Sequence, residues 1–322
     1  MKLMLKRKWL QILLLLAIVV AAYKILPEVV ENQTSFSIIS DEETRKNLSL
    51  TSGTFQPKSL SKEIEELFLP IQVRRIVCKH SGGRATVYCA IIPKEYRPEL
   101  CVANDINNTV ELATDIAKRK HATICINAGI FNMNTNEANG YLIVDGQLVH
   151  DKPFSNIYTE DYLYMDKDGL LQSFPVVGTL EELVALKPQW AVLGFQSIII
   201  DGTYSAKGRD PRNYQPRTFI GQDYDGNYLI GVCSGRMTNE VGLSYRNIYS
   251  FAKAIGFEPR ILYNLDGGGS SAFVYEGVRL NKLTQGENRP CPNFLIVGDQ
   301  VDTPNQDTLQ HKTTSESWKT ND

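Results

Sequence analysis

The chain has 322 residues, 43% hydrophobic, 22% charged and 9% aromatic, which supplies a sizeable core and excludes a collagen, a wholly disordered chain and a multispanning membrane protein. A net charge of −2 offers no basic footprint for nucleic acid. That average hides a segregation: Lys2, Lys6, Arg7, Lys8 and Lys24 put +5 into residues 1–26, so the remainder carries −7.

Behind Lys6-Arg7-Lys8 runs an apolar stretch from Trp9 to Leu26, interrupted by the polar Gln11 and Lys24. About 18 residues suffice for a tilted membrane span, and the basic cluster is expected to stay cytoplasmic, sending the rest outward. Val20-Ala21-Ala22 also resembles a small-residue cleavage site, so a cleaved signal competes with an uncleaved anchor. The expectation is an extracytoplasmic protein, tethered to the cell membrane by residues 1–26 or secreted. Residues 27–61 are polar and lack sustained periodicity, as in a stalk, and residues 299–322 read as a disordered tail. Residues 62–298 between them are expected to form one domain. Six cysteines (Cys78, Cys89, Cys101, Cys125, Cys233 and Cys291) are compatible with disulfides outside the cytoplasm, or are buried small hydrophobes.

Within the domain the pattern is strand-rich. Ile71 to Lys79 and Ala85 to Ile92 read as a hairpin around Ser81-Gly82-Gly83-Arg84. Thr109 to Lys120 reads as a helix leading to a strand at Thr123 to Ile126. Further strands are expected at Tyr141 to Val144, Ser197 to Ile200, Thr218 to Gly221, Tyr228 to Val232, Ile261 to Leu265, Ala272 to Tyr275 and Phe294 to Val297. Asp-Gly pairs at Asp145-Gly146, Asp168-Gly169, Asp201-Gly202 and Asp225-Gly226 mark turns. Val241, Tyr245, Ile248, Ala252 and Ile255 share one helical face, ending at Gly256. Hairpins with a few helices predict an α+β fold of mixed, largely antiparallel sheets.

The most distinctive segment is Tyr263-Asn264-Leu265-Asp266-Gly267-Gly268-Gly269-Ser270-Ser271. A strand ends at a carboxylate, and three glycines can turn successive N–H groups toward one point as an anion nest, or simply make a tight turn. A dinucleotide fingerprint is excluded because a strand follows instead of a helix, and a Walker loop because no Lys follows the glycines. Arg217 and Arg236 lie at strand ends, where guanidinium groups bind phosphate in bidentate fashion or form surface ion pairs. Asn127, at the end of a strand, can bond a sugar hydroxyl or cap a turn. The scattered histidines and the absence of a Gly-x-Ser-x-Gly elbow argue against a zinc hydrolase or a serine triad.

In this order, Asn127-Ala128-Gly129-Ile130-Phe131, Pro216-Arg217-Thr218-Phe219-Ile220-Gly221, Gly235-Arg236, Asn264-Leu265-Asp266-Gly267-Gly268-Gly269-Ser270 and Arg289 with Asn293 resemble the phosphodiester glycosidase family. Ala128, Ile130 and Ser234 depart from that pattern, which commonly has Gly, Phe and Asp there. The resemblance implies a hydrolase of sugar-1-phosphodiesters; no cofactor is expected, and no ligand cluster in the sequence predicts a metal. It implies catalytic roles for Asp266, Arg217 and Arg236, and substrate contacts from Asn127, Gly129, Gly267, Gly268, Gly269, Ser270, Arg289 and Asn293. The expected mechanism has Arg217, Arg236 and the amides of Gly267 to Ser270 hold the phosphate, while Asp266 activates water or balances developing positive charge. Asp201 and Glu137 are candidate second carboxylates. A non-catalytic carbohydrate or phosphopolymer binder and a metal-dependent phosphodiesterase are the rival readings.

Overall fold

The computed structural model describes residues 37–39, 71, 73–105, 108–206 and 213–298. The apolar run expected to span the membrane, the rest of the stalk and the tail lie outside them. No helix among the described residues is long and apolar enough to cross a membrane.

A short strand β1 (Ser37–Ile39) pairs with β2 (Val73–His80), which forms a long hairpin with β3 (Gly83–Ile92). Then come β4 (Glu99–Val102), helix α1 (Ala113–Arg119) and β5 (Ala122–Asn127). A middle segment contributes β6 (Leu142–Val144), β7 (Gln147–His150), β8 (Asp161–Met165), β9 (Leu171–Pro175), helix α2 (Leu180–Ala185) and β10 (Trp190–Val192). The chain continues through β11 (Gln196–Ile200), β12 (Thr203–Tyr204), β13 (Arg217–Asp223), β14 (Tyr228–Cys233) and helix α3 (Tyr245–Ala254). It closes with β15 (Pro259–Asn264), β16 (Phe273–Tyr275), β17 (Val278–Arg279) and β18 (Asn293–Gly298). These build three antiparallel sheets, ordered β1-β2-β3-β14-β13-β15-β11-β12, β7-β6-β10-β8-β9 and β17-β16-β5-β18-β4. The architecture is α+β and sheet-dominated.

Period-two alternation assigns each strand face its core. Ile220, Ile230, Val232, Ile261 and Tyr263 meet Ile124, Ile126, Leu295, Leu163 and Trp190 in a core shared by all three sheets. On the other face of the large sheet, Phe219, Leu229, Cys233 and Leu262 pack beneath Ile248, Phe251 and Ala252 of α3. That helix starts at Ser244, whose side chain forms a reciprocal capping box with Asn247, and gives way at Gly256, where φ is +81°. Val241 precedes the cap, so the helix is shorter than the sequence periodicity predicts. The helix expected over Thr109 to Lys120 likewise contracts to α1. Most of the middle sheet escapes the sequence reading: β7, β8, β9, β10 and α2 were not anticipated.

All six cysteines are buried and unpaired. Burial pushes the Cys89, Cys101, Cys233 and Cys291 thiols up to about 12, so they behave as small core residues.

Candidate active site

Antiparallel pairing gathers several strand ends at one edge. In register, Phe219 of β13 lies opposite Asn264 of β15, Arg217 opposite Cys233 of β14, and Phe294 of β18 opposite Asn127 of β5. The turn after β15 is pinned there from both sides. Leu265 N–H donates to Thr218 O at 2.9 Å, Asp266 N–H to Ala128 O at 2.8 Å and Gly268 N–H to Pro216 O at 3.0 Å. Asn127 completes the joint: its Nδ2 donates to Asp266 O at 2.8 Å, while its Oδ1 accepts from Thr218 Oγ1 at 2.7 Å and Ala272 N–H at 3.0 Å.

Asp266 is the focus of this joint. Burial pushes its carboxyl up to about 6. Ser270, the Gly267 amide, Arg289 and Arg236 pull in the opposite direction by favouring the anion. The Gly267 N–H bonds Asp266 Oδ1 at 2.8 Å. Ser270 Oγ is buried with no partner in good hydrogen-bond geometry, and it neighbours both Asp266 and the Cys291 thiol. A carboxylate poised near neutrality, with two guanidinium groups in its field, is the arrangement expected where an anion binds and positive charge develops.

The glycines explain how two guanidinium groups come close to this turn. A Cβ on Gly268, whose φ is +63°, would lie 3.3 Å from Arg236 Nη1, and one on Gly269 would lie 2.6 Å from Arg289 Nη2. Side chains there would displace the guanidinium groups. Arg236 is oriented by donating from Nε to Gln215 Oε1 at 2.7 Å, and Arg289 pairs with Glu287 at 3.2 Å.

Several sequence expectations need correction. The Gly267, Gly268 and Ser270 amides are occupied by Asp266 Oδ1, Pro216 O and Gly267 O, so at most the Gly269 N–H is left for an anion. The turn is therefore not an amide nest. Arg217 is 5% exposed, donates to Leu243 O at 3.2 Å and Asn213 O at 3.1 Å, and stacks 4.5 Å from the Tyr245 ring centre. It shares the face of β13 with Phe219 beneath α3, whereas Thr218 faces Asn127. Arg217 thus anchors the segment carrying Gln215 and is not a phosphate clamp. Asn127 and Asn293 are also buried scaffold: Asn293 Oδ1 accepts from Gly129 N–H at 2.6 Å. Gly129 is a packing glycine, since a Cβ would lie 2.5 Å from Val192. These three hold the site together and do not line it.

Of the two candidate second carboxylates, Asp201 lies elsewhere. Asp201 is exposed on the β11–β12 turn near Arg260, about 14 Å along β15 from Asn264 at 3.4 Å per residue. Glu137 pairs with Lys152 at 3.0 Å and bonds Thr135. The sequence reading overlooks Gln215, which orients Arg236, and Glu240, whose carboxylate bonds Thr86 and Lys282. Among the described residues no group of three or more His, Cys, Asp or Glu is arranged to hold a metal ion.

The fold and site define a sheet-rich α+β protein with one acid at a strand-end glycine turn against which two arginines pack. Residues 120–298 match the family model described as phosphodiester glycosidase, more than half of the chain. The chain belongs to that family, a family of hydrolases. It is 26% identical over 198 residues to the SPbeta prophage-derived uncharacterized protein YomE of Bacillus subtilis (strain 168). That match covers 58% of this chain but only 29% of the relative's length. Among solved structures, the zebrafish N-acetylglucosamine-1-phosphodiester alpha-N-acetylglucosaminidase catalytic domain, auto-inhibited by its pro-peptide, aligns with a TM-score of 0.56 and 17% identity over 83% of each chain. A protein of Burkholderia pseudomallei K96243 described as exported aligns with a TM-score of 0.50 and 13% identity, over 69% of this chain and 76% of that one. At such identities these structures establish the shared fold.

Proposed function

We propose that the chain hydrolyses sugar-1-phosphodiesters by breaking the bond between the anomeric carbon and the phosphate oxygen. The observation that carries this reading is the glycine turn after Asp266, against which Arg236 and Arg289 pack near enough for both to favour the Asp266 anion, in a member of the phosphodiester glycosidase family. The two guanidinium groups bind the phosphodiester anion and stabilise it further as it leaves with the electron pair of the broken bond. Positive charge then develops on the sugar ring. Ionised Asp266 balances that charge or takes the proton of the attacking water, whose oxygen becomes the new C1 hydroxyl.

The basic and then apolar amino terminus supports a catalytic domain held outside the cytoplasm at the membrane, acting on phosphodiester-linked sugars of an envelope polymer or exopolysaccharide. The name of the zebrafish protein supports the bond type. The test is incubation of the purified protein with an aryl phosphodiester of a sugar at C1. Free reducing sugar and a phosphomonoester are expected, with none formed by Asp266→Asn. Release of a sugar phosphate would make the protein a phosphodiesterase instead, and binding without turnover would make it a lectin-like module.

A further inference from the structure

Beside Arg236 the chain forms a tight hairpin in which Met237 and Glu240 exchange backbone hydrogen bonds at 2.9 and 3.2 Å, and Arg236 N–H donates to Val241 O. The Glu240 side chain is only 12% exposed. Its Oε1 accepts from Thr86 Oγ1 at 3.0 Å and from Lys282 Nζ at 3.4 Å, while its Oε2 is buried with no partner. Thr86 O in turn accepts from Ser234 N–H at 3.1 Å, which puts Ser234 next to Thr86 across the paired strands. Ser234 is 1% exposed, and its hydroxyl is also buried with no partner. The two orphaned atoms do not bond each other.

From the other side, Lys282 belongs to the segment fastened to the glycine turn, since Asn281 Nδ2 donates to Ser271 O at 2.9 Å. Glu240 therefore bridges the Arg236 hairpin and the segment behind Ser270 and Ser271. A buried carboxylate oxygen lacking a donor and a buried hydroxyl lacking any partner, both on neighbours of Thr86, are an expensive arrangement unless something completes it.

We propose that Glu240, Ser234 and Thr86 form a subsite for a hydroxyl group of the sugar ring, adjoining the phosphate site at Arg236 and Arg289. A sugar hydroxyl is both donor and acceptor, so it can donate to Glu240 Oε2 and accept from Ser234 Oγ at once. The Glu240 carboxylate repels phosphate, so the subsite sorts the ligand: anion to the arginines, neutral hydroxyl to Glu240. This assignment rests on the reading that the site takes sugars phosphorylated at C1, and it makes the subsite a determinant of which sugar is accepted.

The test uses binding, so it does not depend on turnover. Calorimetry measures glucose 1-phosphate and its 2-, 3-, 4- and 6-deoxy analogues against the wild type, Glu240→Ala and Glu240→Gln. Loss of a hydrogen bond to a charged group should weaken binding roughly 10- to 100-fold. Glu240→Ala should show that loss with glucose 1-phosphate. One deoxy analogue should bind the wild type equally weakly and be indifferent to the substitution. Should Glu240→Ala melt, Glu240→Gln, which keeps an acceptor for Thr86, is read the same way with a smaller loss. Equal losses across all the sugars, no loss, or no binding of any of them by the wild type would overturn the subsite. Wild-type protein that binds these sugars with the expected pattern yet cleaves no phosphodiester would overturn the proposed function and leave the subsite standing.

Discussion

Replacing Asp266 with Asn separates catalysis from stability in a way few other substitutions here can. The carboxyl is pushed from 3.8 up to about 6, chiefly by burial. A folded-state value above the unfolded one means that ionisation costs stability: no cost at acid pH, a growing cost between pH 4 and 6, and the full cost above. Two pH units correspond to about 3 kcal/mol at 1.36 kcal/mol per unit, an upper bound because Asp266 is only partly buried and solvent screens its charge. The Asp266→Asn side chain keeps an oxygen to accept the Gly267 N–H that now bonds Oδ1 at 2.8 Å. At pH 7.5 the variant should melt up to roughly 6 to 12 °C above the wild type, and the two should converge near pH 4. Its hydrolytic activity should fall by at least about 100-fold. Wild-type kcat/KM should lose about tenfold per pH unit below 6, where the carboxylate is protonated. Melting curves and sugar release across pH 4 to 8 check both. Equal stability at every pH would refute the desolvation of Asp266, and retained activity would refute its role.

The arginines should divide by task. Arg289→Ala and Arg236→Ala should each lower kcat/KM for a phosphodiester by about 100-fold with little change in melting. Arg217→Met should instead cost about 2 kcal/mol of stability by removing the Asn213 carbonyl's donor and one of the two donors to Leu243 O, the other being the Gln215 N–H, as denaturant titration would show. The glycines should divide likewise. In Gly269→Ala the new Cβ meets the movable end of Arg289 at 2.6 Å, so KM should rise about tenfold in a folded protein. In Gly267→Ala it meets the fixed Pro216 carbonyl oxygen at 2.7 Å, so stability should drop by about 2 kcal/mol.

Much of the large sheet was legible because its signals are local. The Asp201-Gly202 turn has both residues at positive φ, 47° and 74°, as a two-residue hairpin turn demands. The run Tyr245, Ile248, Ala252 with Gly256 announced α3. The middle sheet was illegible for the opposite reason. All five residues of β8, Asp161 to Met165, are buried, including a carboxylate held by Ser197 and Ser173, so no alternation marks the strand. The strand β10 has only three residues, below the length at which periodicity registers.

At the site, Asp266 and its glycines stood out, but composition cannot tell an amide nest from room made for guanidinium groups. Only the partners of each N–H decide that. Arg217 could have been placed: two residues from Phe219 on one strand, it shares a face with the core beneath α3. Glu240 carried no signal, because it lies in a polar loop whose geometry is set by Thr86 and Lys282, distant in sequence.

The central claim concerns which bond breaks, and oxygen-18 tests it directly. When the protein hydrolyses a sugar-1-phosphodiester in labelled water, mass spectrometry of the products locates the new oxygen. Cleavage at the anomeric carbon predicts the label in the C1 hydroxyl of the sugar and unlabelled phosphomonoester. Label in the phosphate group would place the attack on phosphorus and contradict the roles assigned to Asp266, Arg236 and Arg289.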